Sequence, residues 1–565
     1  MTFRWRTFGI ALAAATVTLT VVWSSWCPPF YLTNDDVTIR KAVEGRTVPG
    51  ATPTGFALLT HAAFGWAIVA MQRVLPSISW WDIALTGLLL WALGVLLALV
   101  WDALGSDWLA RTTTVAVVVF AMASVFASLQ FTISSTLAGG AAAMLAIREL
   151  GAARPRRSVL IMACLLFAAA LLMRRMGGAA GAVIATGLSV PVMRTRRWWW
   201  AHILGIVAIV AVLFLAIQYS DGVMYAANRE WAEYYRYNWM VGLIGEWGSD
   251  LSTAYERQIR ESVGWSANDW LMLMNSWGVD PVVHGLKNLG RAYQTQTAIA
   301  SQVGTLSWLF GRAMQLSMDD AWTLFLSSAP AAFAIGAMTA AYATRRACVG
   351  VIGVTVLFLM SCLAIEVTFE KLPWRLLGGL EVLFVAAALM TVGVYRRGRA
   401  ASPVLAILSL GTIVAMTIPV LAAEIRESGS RLNRSQELDV EIAQLQRLSP
   451  SLVIFYGSRF PREFWWRPFH SPPADIPVVA LGWNNQNPQL HRFLSATGRE
   501  PLLRALCTDP SILIVADRDP LDLVTTYMDE HFNTTVTWTQ VYDGSFPLWR
   551  CAAIKGESSR PTSGR

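Results

Sequence analysis

Charge is scarce in this chain. Only 15% of its 565 residues are Asp, Glu, Lys or Arg, where soluble domains carry about 25%. That shortage excludes an ordinary soluble enzyme. Cysteine is scarce too. There are six, none in a C-x-x-C or Cys/His spacing, which excludes a disulfide scaffold and offers no zinc site of the usual kind. The six histidines are scattered, and none stands out as a catalytic base. No repeat of solenoid period is present, which excludes a stacked-repeat architecture.

What is there is apolar. Hydrophobic residues make up 55% of the chain, with 26 Trp and 23 Phe, a composition that suits a membrane protein with wide aromatic interfaces. The net charge of +8 is uneven. Residues 430–565 are charge-balanced, so the excess lies earlier, in Arg4/Arg6, Arg154/Arg156/Arg157, Arg194/Arg196/Arg197, Arg345/Arg346 and Arg396/Arg397/Arg399. These clusters flank apolar runs, as cytoplasmic loops do under the positive-inside rule. No basic stripe with interleaved aromatics occurs in a soluble stretch, so nucleic acid is not an expected partner.

A membrane span needs about 17–20 apolar residues. Candidates fall near 7–26, 55–74, 80–101, 110–130, 132–148, 158–174, 176–193, 199–217, 322–343, 349–365, 377–394 and 402–423. Parity decides between them. With Arg4/Arg6 and Arg154–Arg157 both inside, an odd number of crossings must separate residues 27 and 154, yet four runs lie there. The run at 55–74 carries His61, Gln72 and Arg73 and follows Pro49 and Pro53, so it reads as an amphipathic helix on the outer surface. The expectation is an α-helical polytopic membrane protein of about eleven spans over residues 1–429. Its N-terminus is cytoplasmic, and its outer loops are 27–79, 218–321 and 366–376.

The remainder, 430–555, reads as a small extracytoplasmic α/β domain. Segments 451–457, 477–483, 511–517 and 534–542 are rich in β-branched and aromatic residues, and helical patterns at 490–506 and 520–532 separate them. Residues 556–565 have a disordered composition. Cys164 and Cys362 read as packing residues. Cys507 and Cys551 both lie in the tail, where oxidation permits a disulfide that spacing alone does not decide.

The sharpest local feature is Thr33-Asn34-Asp35-Asp36, which opens a short helix carrying Arg40, Lys41 and Glu44 and stopping at Gly45. Helix capping accounts for one acid and for Gly45. Two acids at the membrane edge exceed that need. A carboxylate there suits proton removal from a hydroxyl during group transfer, with cations or a metal to neutralise a leaving phosphate. Nothing in the sequence requires a metal. Arg375, among Glu366, Glu370 and Lys371 in an eleven-residue outer loop, suits a lipid phosphate or interface anchoring beside Trp374. Arg174 and Arg175 lie on the expected outer side, against the charge trend, and charge there is costly or functional. Asp269, Asp280, Asp319 and Asp320 read as caps and solvated faces.

The acidic pair after the first membrane helix, together with Gly264-Trp-Ser-Ala-Asn268-Asp269, Leu372-Pro-Trp-Arg375 and seven spans before a long outer loop, resembles the GT-C glycosyltransferases over roughly residues 1–400. The resemblance implies a polyprenyl-phosphate-sugar donor, chemistry on the outer side of the plasma membrane, and a cell-wall glycan, glycolipid or protein as acceptor. It also implies Asp35 and Asp36 as the catalytic acids, with Arg40, Arg174, Arg175, Glu366, Glu370, Lys371 and Arg375 around the substrates. Two alternatives stand beside it. One is a transporter or flippase of lipid-linked sugars, which would favour inverted repeats and charges inside the spans. The other is a non-catalytic envelope assembly protein, which would tolerate amides at Asp35 and Asp36.

Overall fold

A computed structural model describes residues 3–105, 111, 125, 127–193, 199–246, 253–275, 277–303, 345–369, 374–395, 403–456, 460, 462–470, 476–482, 484–544 and 546–554. Helices dominate, as the long apolar runs dictate. In chain order the first are α1 (Trp5–Val21), α2 (Asn34–Glu44), α3 (Ala62–Val74), α4 (Trp80–Leu104), α5 (Phe131–Leu150), α6 (Arg157–Met173), α7 (Arg175–Leu188) and α8 (Trp199–Ala226). The outer segment that follows folds as α9 (Arg229–Val241), α10 (Thr253–Val263), α11 (Ala267–Met274) and α12 (Leu286–Val303). Then come α13 (Arg345–Phe369), α14 (Trp374–Tyr395) and α15 (Pro403–Arg447).

Among the described residues six helices are long and apolar enough to cross a membrane: Trp5–Ser24, Trp80–Leu104, Phe131–Leu150, Trp199–Ala226, Arg346–Ile365 and Arg375–Tyr395, with Arg157–Met173 a shorter apolar helix. The run read as 55–74 is helical only from Ala62, over 13 residues, too few to span. The expected span at 322–343 lies outside the described residues. So does most of 110–130, whose last residues form β2 (Ser128–Leu129). The boundary expected at 429/430 falls inside α15, which runs unbroken for 45 residues.

Close approach of backbones holds the bundle centre. A Cβ on Gly139 of α5 would lie 2.1 Å from the Gly178 carbonyl oxygen of α7, and one on Gly181 would lie 2.0 Å from the Thr136 carbonyl oxygen. Only glycine permits that spacing, the usual device where helices pack without a hydrophobic driving force. It sets the N-termini of α5 and α7 side by side.

Beyond α15, a five-stranded mixed sheet runs in the order β4-β3-β5-β7-β6. It comprises β3 (Leu452–Phe455), β4 (Val478–Ala480), β5 (Ile512–Val515), β6 (Thr535–Asp543) and β7 (Pro547–Ile554). β3 is parallel to β4 and β5, and β7 is antiparallel to β5 and β6. Helices α16 (Arg462–Trp465), α17 (Pro488–Ala496), α18 (Leu502–Thr508) and α19 (Arg518–Phe532) complete it. The central strands are wholly buried apolar runs, as expected where both faces are covered. Cys507 and Cys551 form a disulfide that ties α18 to β7.

The core of this sheet is shared. Val48 of the first outer loop and Met272, Trp277 and Val279 of the long one are buried in one apolar cluster with Leu452, Ile454 and Leu490. Trp277, fully buried, stacks on Tyr456 with ring centroids 4.3 Å apart. Tyr527 donates to Asp280 at 2.7 Å, and Asn268 donates to the Leu523 carbonyl at 3.1 Å. Trp277→Ala therefore opens a cavity inside the joint. It is expected to cost about 3–5 kcal/mol, read as a lower unfolding midpoint of the purified protein and faster proteolysis between the long loop and the sheet.

Candidate functional site

The first outer loop is pinned before its helix begins. Phe30–Tyr31 (β1) pairs in parallel with β2, which brings the start of α2 against the start of α5. Thr33, in extended conformation, is the N-cap of α2, and Gly45 ends it in the left-handed region at φ 73°, where glycine carries no Cβ penalty. Neither aspartate is the cap. Both lie in the first turn, and helix geometry points them in different directions.

Asp36 turns inward and is completely buried. Its Oδ1 accepts the Phe131 backbone N–H at 3.1 Å, and its Oδ2 accepts from the Thr33 hydroxyl at 3.4 Å. It thus satisfies a free donor at the first turn of α5. Burial, with Asp35 adjacent, pushes its carboxyl well above the usual range, while the Phe131 N–H, Arg375 and Thr33 pull it down. Asp36, expected from the sequence as a catalytic acid, joins α2 to α5 and is fully buried.

Asp35 turns outward and stays partly exposed. Its Oδ2 sits 2.7 Å from Nη1 of Arg375, whose side chain is 31% exposed. A carboxylate of the first outer loop and a guanidinium 340 positions later are thus joined. Arg174 reaches the same neighbourhood through Phe131, whose ring lies 5.2 Å below its guanidinium. Arg174 also donates to the Leu59 carbonyl at 3.3 Å. Arg175 lies 3.9 Å from Asp221, and both arginines line a cavity of about 50 Å³ with His61 and Asp221. His61, which the sequence reading placed only in an amphipathic helix, caps α3 by accepting from the Ala63 N–H at 3.0 Å and bonds Ser220 at 2.9 Å. Glu366 lies in α13, and its side chain is not among the described ones. Glu370 and Lys371 lie outside the described residues.

Arg40, expected from the sequence among the substrate-binding residues, is buried in the fold. It is 1% exposed, and its donors are taken. Nε holds Glu44 at 2.8 Å, Nη1 donates to the Arg467 carbonyl at 2.9 Å, and Nη2 donates to the His470 carbonyl at 2.8 Å. Asp82, fully buried at the start of α4, lies 3.4 Å from Nη1 and accepts from the Phe469 N–H at 2.8 Å and from the Tyr31 hydroxyl. Asp82 went unremarked in the sequence because one acid in the first turn of an apolar helix looks like a cap.

Two further cations lie by α2. Lys41 is 7% exposed, with Nζ 5.7 Å from the Trp466 ring. Burial first, then Arg462 and Arg46, lower its amine to about 7. Arg462 of α16 is likewise held down by burial, against Glu463 and Asp35.

Among the described residues one group could hold a metal: Asp269, Glu530 and His531, whose ligand atoms lie within 4.8 Å of one another. Their atoms are otherwise used. Asp269 completes a capping box with Ser266 and takes His531 at 2.8 Å, and Glu530 accepts from the Ser266 hydroxyl at 2.9 Å. The group clasps the long loop to α19.

No family model and no curated protein matches the chain. It is similar to solved structures of ArnT from Cupriavidus metallidurans. The apo form aligns over 96% of this chain and 98% of that one, at 14% identity and a TM-score of 0.40. The form bound to undecaprenyl phosphate aligns over the same shares, at 13% identity and a TM-score of 0.38.

Two outcomes follow from this geometry. Arg40→Gln leaves Asp82 buried without its cation and is expected to cost about 3–5 kcal/mol, read as loss of folded protein or a much lower unfolding midpoint, whatever substrate is present. For Lys41, the unfolded chain keeps its proton up to 10.5 and the folded one only to about 7. Stability therefore rises with pH across that window. The gain in unfolding midpoint from pH 7 to pH 9 should be larger in the wild type than in Lys41→Met.

Proposed function

We propose that this chain is a multi-pass membrane glycosyltransferase of GT-C type. It moves a sugar from a polyprenyl-phosphate donor to an extracytoplasmic envelope acceptor, and Asp35 is the base. The observation that carries this reading is the Asp35–Arg375 pair. A partly exposed carboxylate meets a partly exposed guanidinium from the first turn of α14 at 2.7 Å.

The chemistry needs little more. The acceptor hydroxyl oxygen bonds to the anomeric carbon as the bond from that carbon to the phosphate oxygen breaks. Its electron pair leaves with the polyprenyl phosphate. Asp35 takes the hydroxyl proton. Arg375, exchanging Asp35 for phosphate, and Arg174, held over Phe131, neutralise the departing dianion, for which planar guanidinium groups are suited. Asp36 does not react in this scheme. It fixes α2 against α5 and so sets the position of Asp35. The N-terminus lies in the cytoplasm, and the sheet of residues 452–554 lies outside, above the site.

Amide substitutions separate the two acids. Asp35→Asn keeps shape and loses basicity, so sugar transfer from a polyprenyl-phosphate donor should fall about 10²–10⁴-fold with the unfolding midpoint unchanged. Asp36→Asn still offers a carbonyl to the Phe131 N–H and should keep most of the activity. Asp36→Ala leaves that N–H unsatisfied and should cost about 1–3 kcal/mol of stability. Wild-type turnover in Asp35→Asn would remove the base assignment.

A further inference from the structure

Lys41 and Arg462 have no counterpart in the scheme above. Both are basic, they come from different parts of the chain, and they lie at the junction where α16 packs on α2, close enough for the Arg462 charge to act on Lys41. Lys41 is more than nine-tenths buried, and among the described residues its ammonium is matched by the Trp466 ring and by no carboxylate. The charges that act on it are the cations Arg462 and Arg46. Arg462 has a buried Nε–H with no hydrogen-bond partner, and it feels Glu463 and Asp35 without forming an ion pair among the described residues.

Burying a charge is costly unless it is paired. The Arg40 guanidinium, on the same Trp466 ring at 5.5 Å, shows how this loop treats a cation that serves the fold: it surrounds it with two carboxylates and three further oxygens. Lys41, the next residue, receives nothing of the kind. A buried ammonium without a carboxylate, beside a guanidinium whose buried Nε–H has no acceptor among the described residues, is what a site for an anion looks like before the anion arrives.

We propose that Lys41 and Arg462 form a binding site for an oxyanion carried by the acceptor, so that the acceptor is an acidic molecule bearing a phosphate or carboxylate near the hydroxyl that Asp35 deprotonates. This rests on the glycosyltransferase reading and deepens it. The donor phosphate is assigned to Arg375 and Arg174, on the bundle side of Asp35. The second pair involves α16, and the Arg462 charge acts on Asp35, so an anion held there lies within reach of the proposed base.

The test uses the full-length protein in micelles, with sulfate as the probe and chloride at equal ionic strength as the reference. Sulfate is expected to raise the unfolding midpoint of the wild type above that in chloride. Lys41→Met should fold, because it removes an unpaired buried charge, and should lose the sulfate increment. Arg462→Met should also lose it. Asp35→Asn should keep it, so that failure of the base assignment and failure of the anion site are read separately. Undecaprenyl phosphate added first should leave the increment in place. No sulfate increment in the wild type, or an increment that survives in Lys41→Met, overturns the site. Abolition of the increment by undecaprenyl phosphate assigns the cations to the donor and overturns the acceptor reading.

Discussion

The half of this molecule that carries the C-terminal sheet hangs on the guanidinium of Arg40. It bonds to Glu44 within its own helix, lies against Asp82 at the start of α4, and holds the carbonyls of Arg467 and His470 from a segment more than 400 residues away. Asp82 completes the arrangement by accepting from Tyr31 and from the Phe469 N–H. One buried cation therefore joins the first outer loop, the membrane bundle and the approach to the C-terminal sheet. In a low-dielectric interior a buried cation must be paired and hydrogen-bonded, and Arg40 is, although Glu44 keeps one buried oxygen, Oε2, without a partner. That is why Arg40 can be buried safely and why removing one partner is costly.

The same junction sets the orientation of α2. With Arg40 fixed below, β1 pairing with β2 at one end and Gly45 turning the chain at the other, the helix cannot rotate about its axis. Its first turn then has one inward and one outward acid. Asp36 closes on the N-terminus of α5, and Asp35 is left facing Arg375. The glycine contacts between α5 and α7 place Arg174 over Phe131 in the same region. The site is thus a consequence of helix packing at the membrane edge, with no loop of its own to hold it.

The C-terminal sheet is bound to this arrangement from above. Trp277, Asp280, Asn268 and Asp269 of the long outer loop enter its core or bond its helices. Gln489 of α17 bonds Thr47 and the Thr52 carbonyl in the first loop. These contacts place α16, with Arg462, over α2. Among the described residues Lys41 has no carboxylate partner of the kind that Arg40 has in Glu44 and Asp82.

The sequence by itself determined the elements whose cause is local. Among the described residues, apolar runs such as 80–101, 132–148, 199–217 and 377–394 became helices, because a backbone in lipid must satisfy its own hydrogen bonds. The segments around Leu452–Phe455 and Ile512–Val515 became strands, because β-branched residues fit a pleated surface. Asp269 was legible as a cap or a solvated face, and the structure makes it the partner of Ser266 in a capping box; the acidic pair was legible as unusual. Only the tertiary structure decided which acid is exposed, that Arg375 meets Asp35, that Arg40 is buried among carbonyls, and that α15 runs through the point where composition changes. Each of these depends on partners hundreds of residues apart or on the rotation of a helix about its axis. Composition and spacing report the period of a helix, and the packing of its neighbours selects the face that is buried.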